Sequence, residues 1–128
     1  MDIHARLQVA AKHALPQAYA PYSNYPVAAA AMDRAGQIHL GVNIENASYG
    51  ITLCAECSLL SSWRLNDGAT LTHLVCLDRA GQYITPCGRC RQLLYEHAPS
   101  TLSIATQHGP VTLAQLLPNA FGPENLQE

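Results

Sequence analysis

The chain has 128 residues, 48% of them apolar, and 7 Lys and Arg against 9 Asp and Glu give it a formal charge of −2. That is the size of one ordinary domain, residues 1–128, with enough apolar mass for a real core, so the fold needs no metal to stand in for one. The basic residues are scattered, which argues against a polynucleotide groove, and no stretch approaches the length of a membrane-spanning helix.

Ile3, Leu7, Ala10, Ala11 and Ala14 recur at helical spacing and predict an amphipathic helix over residues 3–15. MDIHARLQVAAKHAL lacks the basic start and unbroken apolar run of a secretory signal, so a cytoplasmic protein is expected. Pro16 and Pro21 stop the helix, and PYSNYP reads as a loop. VAAAAMD, the RAG turn and QIHLGVNI read as a two-stranded hairpin. ENASYGIT is loop-like, and Thr52 is placed to cap a helix over Leu53–Leu65 that stops at NDG. LTHLVCLD reads as a buried strand. RAGQYIT turns into PCGRC, and CRQLLYEH is helical until Ala98 and Pro99. TLSIAT is a strand, GPVTL a short strand or turn, and LAQLLPNAFGPENL a last helical turn and a tail. Helices alternating with strands predict an α/β domain built on a mixed sheet.

Four of the five cysteines fall in two clusters, LCAEC and TPCGRC. An odd cysteine count in a chain without a signal suggests reduced thiols or metal ligands rather than a disulfide framework. Cys54/Cys57 and Cys87/Cys90 could close around one structural zinc. Against that, Glu56 stands between the first pair, and a closed site has no use for a carboxylate at its lip. Both clusters also begin predicted helices, whose free N–H groups favour thiolates. Cys54-Ala55-Glu56 followed by Pro86-Cys87-x-x-Cys90 is the arrangement of zinc deaminases, in which the Glu is not a ligand. On this reading Cys54, Cys87 and Cys90 hold one Zn2+. Glu56 is the catalytic acid and base, taking a proton from the attacking water, passing it to ring N3, and later helping the amine leave as ammonia. Cys57 and Cys76 are expected to be packing residues, and the histidines, His73 and His97 among them, surface or packing residues.

APYSNYPVAAA, GVNIENASYG, LCAE, PCGRCRQLL and LLPNAFGPENL together resemble the small, homotetrameric branch of the cytidine deaminase family over nearly the whole chain. The resemblance implies a three-layer fold with a mixed β-sheet of about five strands, and zinc-dependent deamination of cytidine and deoxycytidine in pyrimidine salvage. It implies a small nucleoside substrate, no nucleic acid polymer, no membrane, and a homotetramer with shared active sites. Asn43 and Glu45 match the pair that hydrogen-bonds the ribose, and an amide and a carboxylate can together grip a hydroxyl. Tyr25 stands where the family has a phenylalanine against the pyrimidine, and the backbone of Ala55 matches the group that reads the base edge. Tyr49 and Phe121 match residues lent to a neighbouring subunit's pocket. Arg91, just past the last ligand, either hydrogen-bonds a ligand thiolate or is a solvated helix cation. Three positions depart from the pattern: Cys57 replaces an arginine, Tyr25 adds a hydroxyl, and Ala28 replaces a glycine. The rivals are a deaminase of a modified nucleoside such as the blasticidin type, against which NIEN and AFG speak, a polynucleotide-editing deaminase, and a structural zinc module.

Overall fold

The computed structural model describes residues 1–127. Helix α1 covers Ile3–Ala14, with the Asp2 carboxylate accepting from the Ala5 N–H at 2.7 Å as its N-cap. The hairpin follows as β1 (Ala28–Asp33) and β2 (Ile38–Val42), then α2 (Ala55–Leu65), β3 (Leu71–Leu77), β4 (Tyr83–Ile84) and α3 (Gly88–His97). β5 (Ser103–Ile104), β6 (Val111–Thr112) and the single turn α4 (Leu113–Leu116) complete it. Among the described residues, no helix is long and apolar enough to cross a membrane.

The strands form one mixed sheet in the order β2-β1-β3-β5-β6, with β4 also paired to β3. Among the described residues, only the β3–β5 strand pair is parallel. The sheet has six strands among the described residues, in keeping with the mixed sheet of about five expected, with β4 the addition. β4 escapes a sequence reading because two residues, Tyr83 and Ile84, are too few to show alternation, and only their pairing with Leu77 and Cys76 makes them a strand.

β1 is buried along its whole length because both faces of the sheet are covered. Ala28, Ala30 and Met32 pack with Leu7 and Ala11 of α1, while Ala29 and Ala31 pack with Leu59 of α2 and Leu94 of α3. The result is three layers: α1, the sheet, then α2 with α3. Each large apolar side chain buried here, Leu7, Leu59 and Leu94 among them, contributes about 1.5–3 kcal/mol relative to exposure.

Two local features set where α2 lies. A Cβ on Gly41 would stand 2.2 Å from the Ala55 carbonyl oxygen and 2.5 Å from the Leu59 nitrogen, so glycine lets α2 press onto β2. Leu53, expected inside the helix, instead exchanges both backbone hydrogen bonds with Ile44 at 2.9 Å. That pairing keeps the chain extended, so α2 starts two residues late and Cys54, not Thr52, is its N-cap. The hairpin turn is held by Asp33, whose Oδ1 accepts from Ala35 and Gln37 and whose Oδ2 faces His39 Nε2 at 2.9 Å. Asp33 and His39 are both buried, so this histidine is a paired core residue rather than a surface one.

Candidate metal centre and active site

Cys54 is the N-cap of α2, Cys87 is the N-cap of α3, and Cys90 lies in the first turn of α3. Their three sulfurs lie within 4.8 Å of one another. A tetrahedral zinc with Zn–S bonds of about 2.3 Å holds its sulfurs roughly 3.8 Å apart, which this spacing accommodates. Three thiols suit zinc, and they form the site for one zinc per subunit. Cys57 does not join them; its side chain lines a separate groove between α2 and α3 with Leu60, Trp63 and His97. Among the described residues, the site therefore offers three sulfurs and a fourth side without one.

Helix ends shape the thiols. Burial pushes the Cys87 thiol up, but the N–H groups of Cys90 and Arg89 outweigh burial and leave it below the ordinary thiol value. Burial pushes the Cys54 and Cys90 thiols up, and their crowding with Glu56 adds to it. Metal binding here must release protons. Glu56, in the first turn of α2, is 4% exposed. Burial raises its pKa above the ordinary carboxyl value, with the Cys90 thiol beside it pulling the other way. A buried carboxyl adjoining the sulfurs, with a raised proton affinity, is equipped to take up and return a proton.

Cys54 and Cys87 help line a cavity of about 250 Å³ together with Tyr25, Asn43, Ala55, Glu56, Cys76 and Ile84. Thr52 borders this cavity and also an adjoining cleft that holds Tyr22, Ser23, Glu45 and Tyr49. Asn43 Oδ1 accepts from the Val27 N–H and Nδ2 donates to the Tyr25 carbonyl, both at 3.0 Å, leaving one donor and one acceptor position open. Glu45 accepts from the N–H groups of Tyr22 and Ser23 at 2.9 and 3.1 Å and from the Ser23 hydroxyl. The Ser23 hydroxyl bond outweighs desolvation and holds the Glu45 carboxyl below its ordinary pKa, with one acceptor position still open.

Arg91 does not contact a thiolate. Its Nε donates to the Pro86 carbonyl at 2.7 Å, its Nη1 to the Leu116 carbonyl at 3.0 Å and its Nη2 to Thr85 Oγ1 at 3.2 Å. Three carbonyl and hydroxyl acceptors in reach of one fork explain the difference, and Arg91 steadies the loop that carries Cys87. Tyr49 and Phe121 are exposed in the single chain.

Residues 1–106 match the family described as the cytidine and deoxycytidylate deaminase zinc-binding region. The chain belongs to this family of zinc-dependent hydrolases. It is 46% identical to a cytidine deaminase of Mycobacterium tuberculosis over 116 residues, which cover 91% of this chain and 87% of the relative. It is 36% identical to a cytidine deaminase of Sporosarcina psychrophila, with 98% and 96% covered. The crystal structure of cytidine deaminase from Mycobacterium leprae superposes with a TM-score of 0.89 at 49% identity, covering 93% of this chain and 100% of that one. The Mycobacterium tuberculosis enzyme superposes with a TM-score of 0.91 at 43% identity, covering 95% and 99%.

The motif spacing picked out Cys54, Cys87, Cys90 and Glu56 but says nothing of Thr52, Cys76, Ile84 and Thr85, which also line the cavity. Cys76 lies on β3 beside Ile84, and no spacing in LTHLVCLD marks the strand as facing a site. Ala28, the departure from the family's glycine, turns its methyl toward the α1 layer.

Proposed function

We propose that this protein hydrolytically deaminates cytidine and deoxycytidine to uridine and deoxyuridine, releasing ammonia, in pyrimidine salvage. The observation that carries the reading is the buried Glu56 carboxyl beside three converging sulfurs whose fourth side opens on a cavity. When bound, zinc supplies a Lewis acid that brings the pKa of water from about 15.7 toward 7.

The protein's own groups do the rest. Glu56 takes the proton of the attacking water and delivers it to N3 of the pyrimidine, which makes C4 electrophilic as its bond to oxygen forms. Glu56 then takes the remaining proton of that oxygen and gives it to the amine, which leaves as ammonia while the C4 carbonyl forms. The Ala55 backbone reads the base edge, and Tyr25 lies against the ring. The open positions on Asn43 and Glu45 take the sugar hydroxyls. Four chains assemble in the cytoplasm, and Tyr49 and Phe121 of one complete the pocket of another; their exposure in the single chain supports this.

Zinc-loaded protein mixed with cytidine tests the reading: the ultraviolet spectrum converts to that of uridine with one ammonia released per uridine. Full zinc content without turnover returns the protein to the structural-module alternative.

A further inference from the structure

The base cavity has one flank to which the chemistry so far gives no part. The following rests on the cytidine deaminase reading. C4 of the pyrimidine, the atom that water attacks, belongs beside Cys54 and Cys87 of the cavity lining. N1, which carries the sugar, is across the ring from C4 and points to the mouth, where Thr52 borders the Glu45 cleft. Because Glu56 serves N3, the N3–C2 edge faces Ala55 and Glu56 at the start of α2. The C5–C6 edge is then turned away from α2. Val27 belongs with Tyr25 and Asn43, because its N–H donates to Asn43 Oδ1 at 3.0 Å; the lining left is Ile84, Thr85 and Cys76, with Cys76 paired to Ile84 in the sheet.

This flank presents the apolar Ile84 side chain and is fixed. Ile84 is tied to Cys76 by the β3–β4 pairing, and its side chain packs on the main core. The Thr85 hydroxyl is already engaged by Arg91 at 3.2 Å, and Arg91 also holds the Pro86 carbonyl at 2.7 Å. A wall held from behind by a strand and from the side by a guanidinium fork does not retreat to admit a bulky group.

We propose that Ile84 is a specificity-determining residue that sets the size of the substituent accepted at C5 of the pyrimidine. The substrate class extends to 5-methylcytidine, whose added methyl group meets an apolar partner, and stops short of 5-iodocytidine.

The test measures kcat/KM of zinc-loaded wild type, Ile84→Val, Ile84→Ala and Ile84→Phe on cytidine, 5-methylcytidine and 5-iodocytidine. A methylene in an apolar pocket decides about 10–200-fold. Ile84→Ala should therefore raise the 5-iodocytidine to cytidine ratio at least about tenfold, and Ile84→Val should raise it less. Ile84→Phe should lower the 5-methylcytidine to cytidine ratio by about tenfold. Each ratio is taken within one enzyme, so a loss of folded or zinc-loaded protein cancels. Ratios unchanged across the variants, with cytidine turnover retained, overturn the wall alone. A wild type that leaves cytidine untouched overturns the underlying reading and the wall with it.

Discussion

Glu56 is a carboxyl group withdrawn from water and set beside thiols, a costly position unless its proton affinity is used. A group that only braced the metal would take zinc with it when removed. Glu56→Ala is expected to lower uridine formation by at least about 10²–10⁴-fold, the span of general acid–base catalysis, with zinc by metal analysis staying near one per chain. Cys57 gives the complementary prediction. Its sulfur lies outside the triangle and faces the α2–α3 groove. Cys57→Ser should keep its zinc and deaminate cytidine measurably, and loss of metal from that variant would show a fourth ligand after all.

At the scale of elements, the site depends on how closely α2 approaches β2. Adding a methyl at Gly41 meets backbone atoms of Ala55 and Leu59, which cannot swing aside as a side chain can. Gly41→Ala should cost about 1–3 kcal/mol in denaturant unfolding and weaken zinc binding in a chelator competition, since Cys54 and Glu56 move with the helix. The β1–β2 turn is a second weak point. Burial pushes the Asp33 carboxyl up, but His39 and the N–H groups of Gln37 and Ala35 prevail, so its folded pKa lies below the ordinary 3.8. That contribution to stability is complete above pH 3.8 and is lost as pH falls through the lower folded value. Asp33→Asn should flatten the acid limb of a melting-temperature profile and cost about 1–3 kcal/mol near neutrality. The hairpin, α1, α3 and the ligand cysteines were legible because apolar periodicity and motif spacing are local. The late start of α2 was not, because Leu53 looks helical until Ile44, nine residues earlier, pairs with it. Nor was the Asp33–His39 pair legible, since the sequence pattern reads the histidines as surface or packing residues and names no partner for them.

On the scale of the whole molecule, the two clefts have exposed aromatic rims. Tyr22 and Tyr49 line the Glu45 cleft and Tyr25 the base cavity, and all three are exposed in the single chain. Scattered singly such residues mean little, but beside a site they fit the proposed tetramer. Light scattering of the zinc-loaded protein should give about four times the 13.8 kDa chain mass. Phe121→Ala should raise KM for cytidine more than it lowers kcat, since its ring is proposed to enclose substrate rather than to react. Nothing periodic in the sequence marks that surface, because it is assembled from loops. The middle layer carries a consequence of its own. Four successive methyl groups in β1 make the sheet thin, and alternate ones touch opposite helices. Crowding at Ala28 or Ala30 presses on the α1 layer, with Val75 and Leu77 beside it, and weakens folding. The same crowding at Ala29 or Ala31 is passed straight to the helices that grip the ion, so in this strand odd and even positions answer to different kinds of selection.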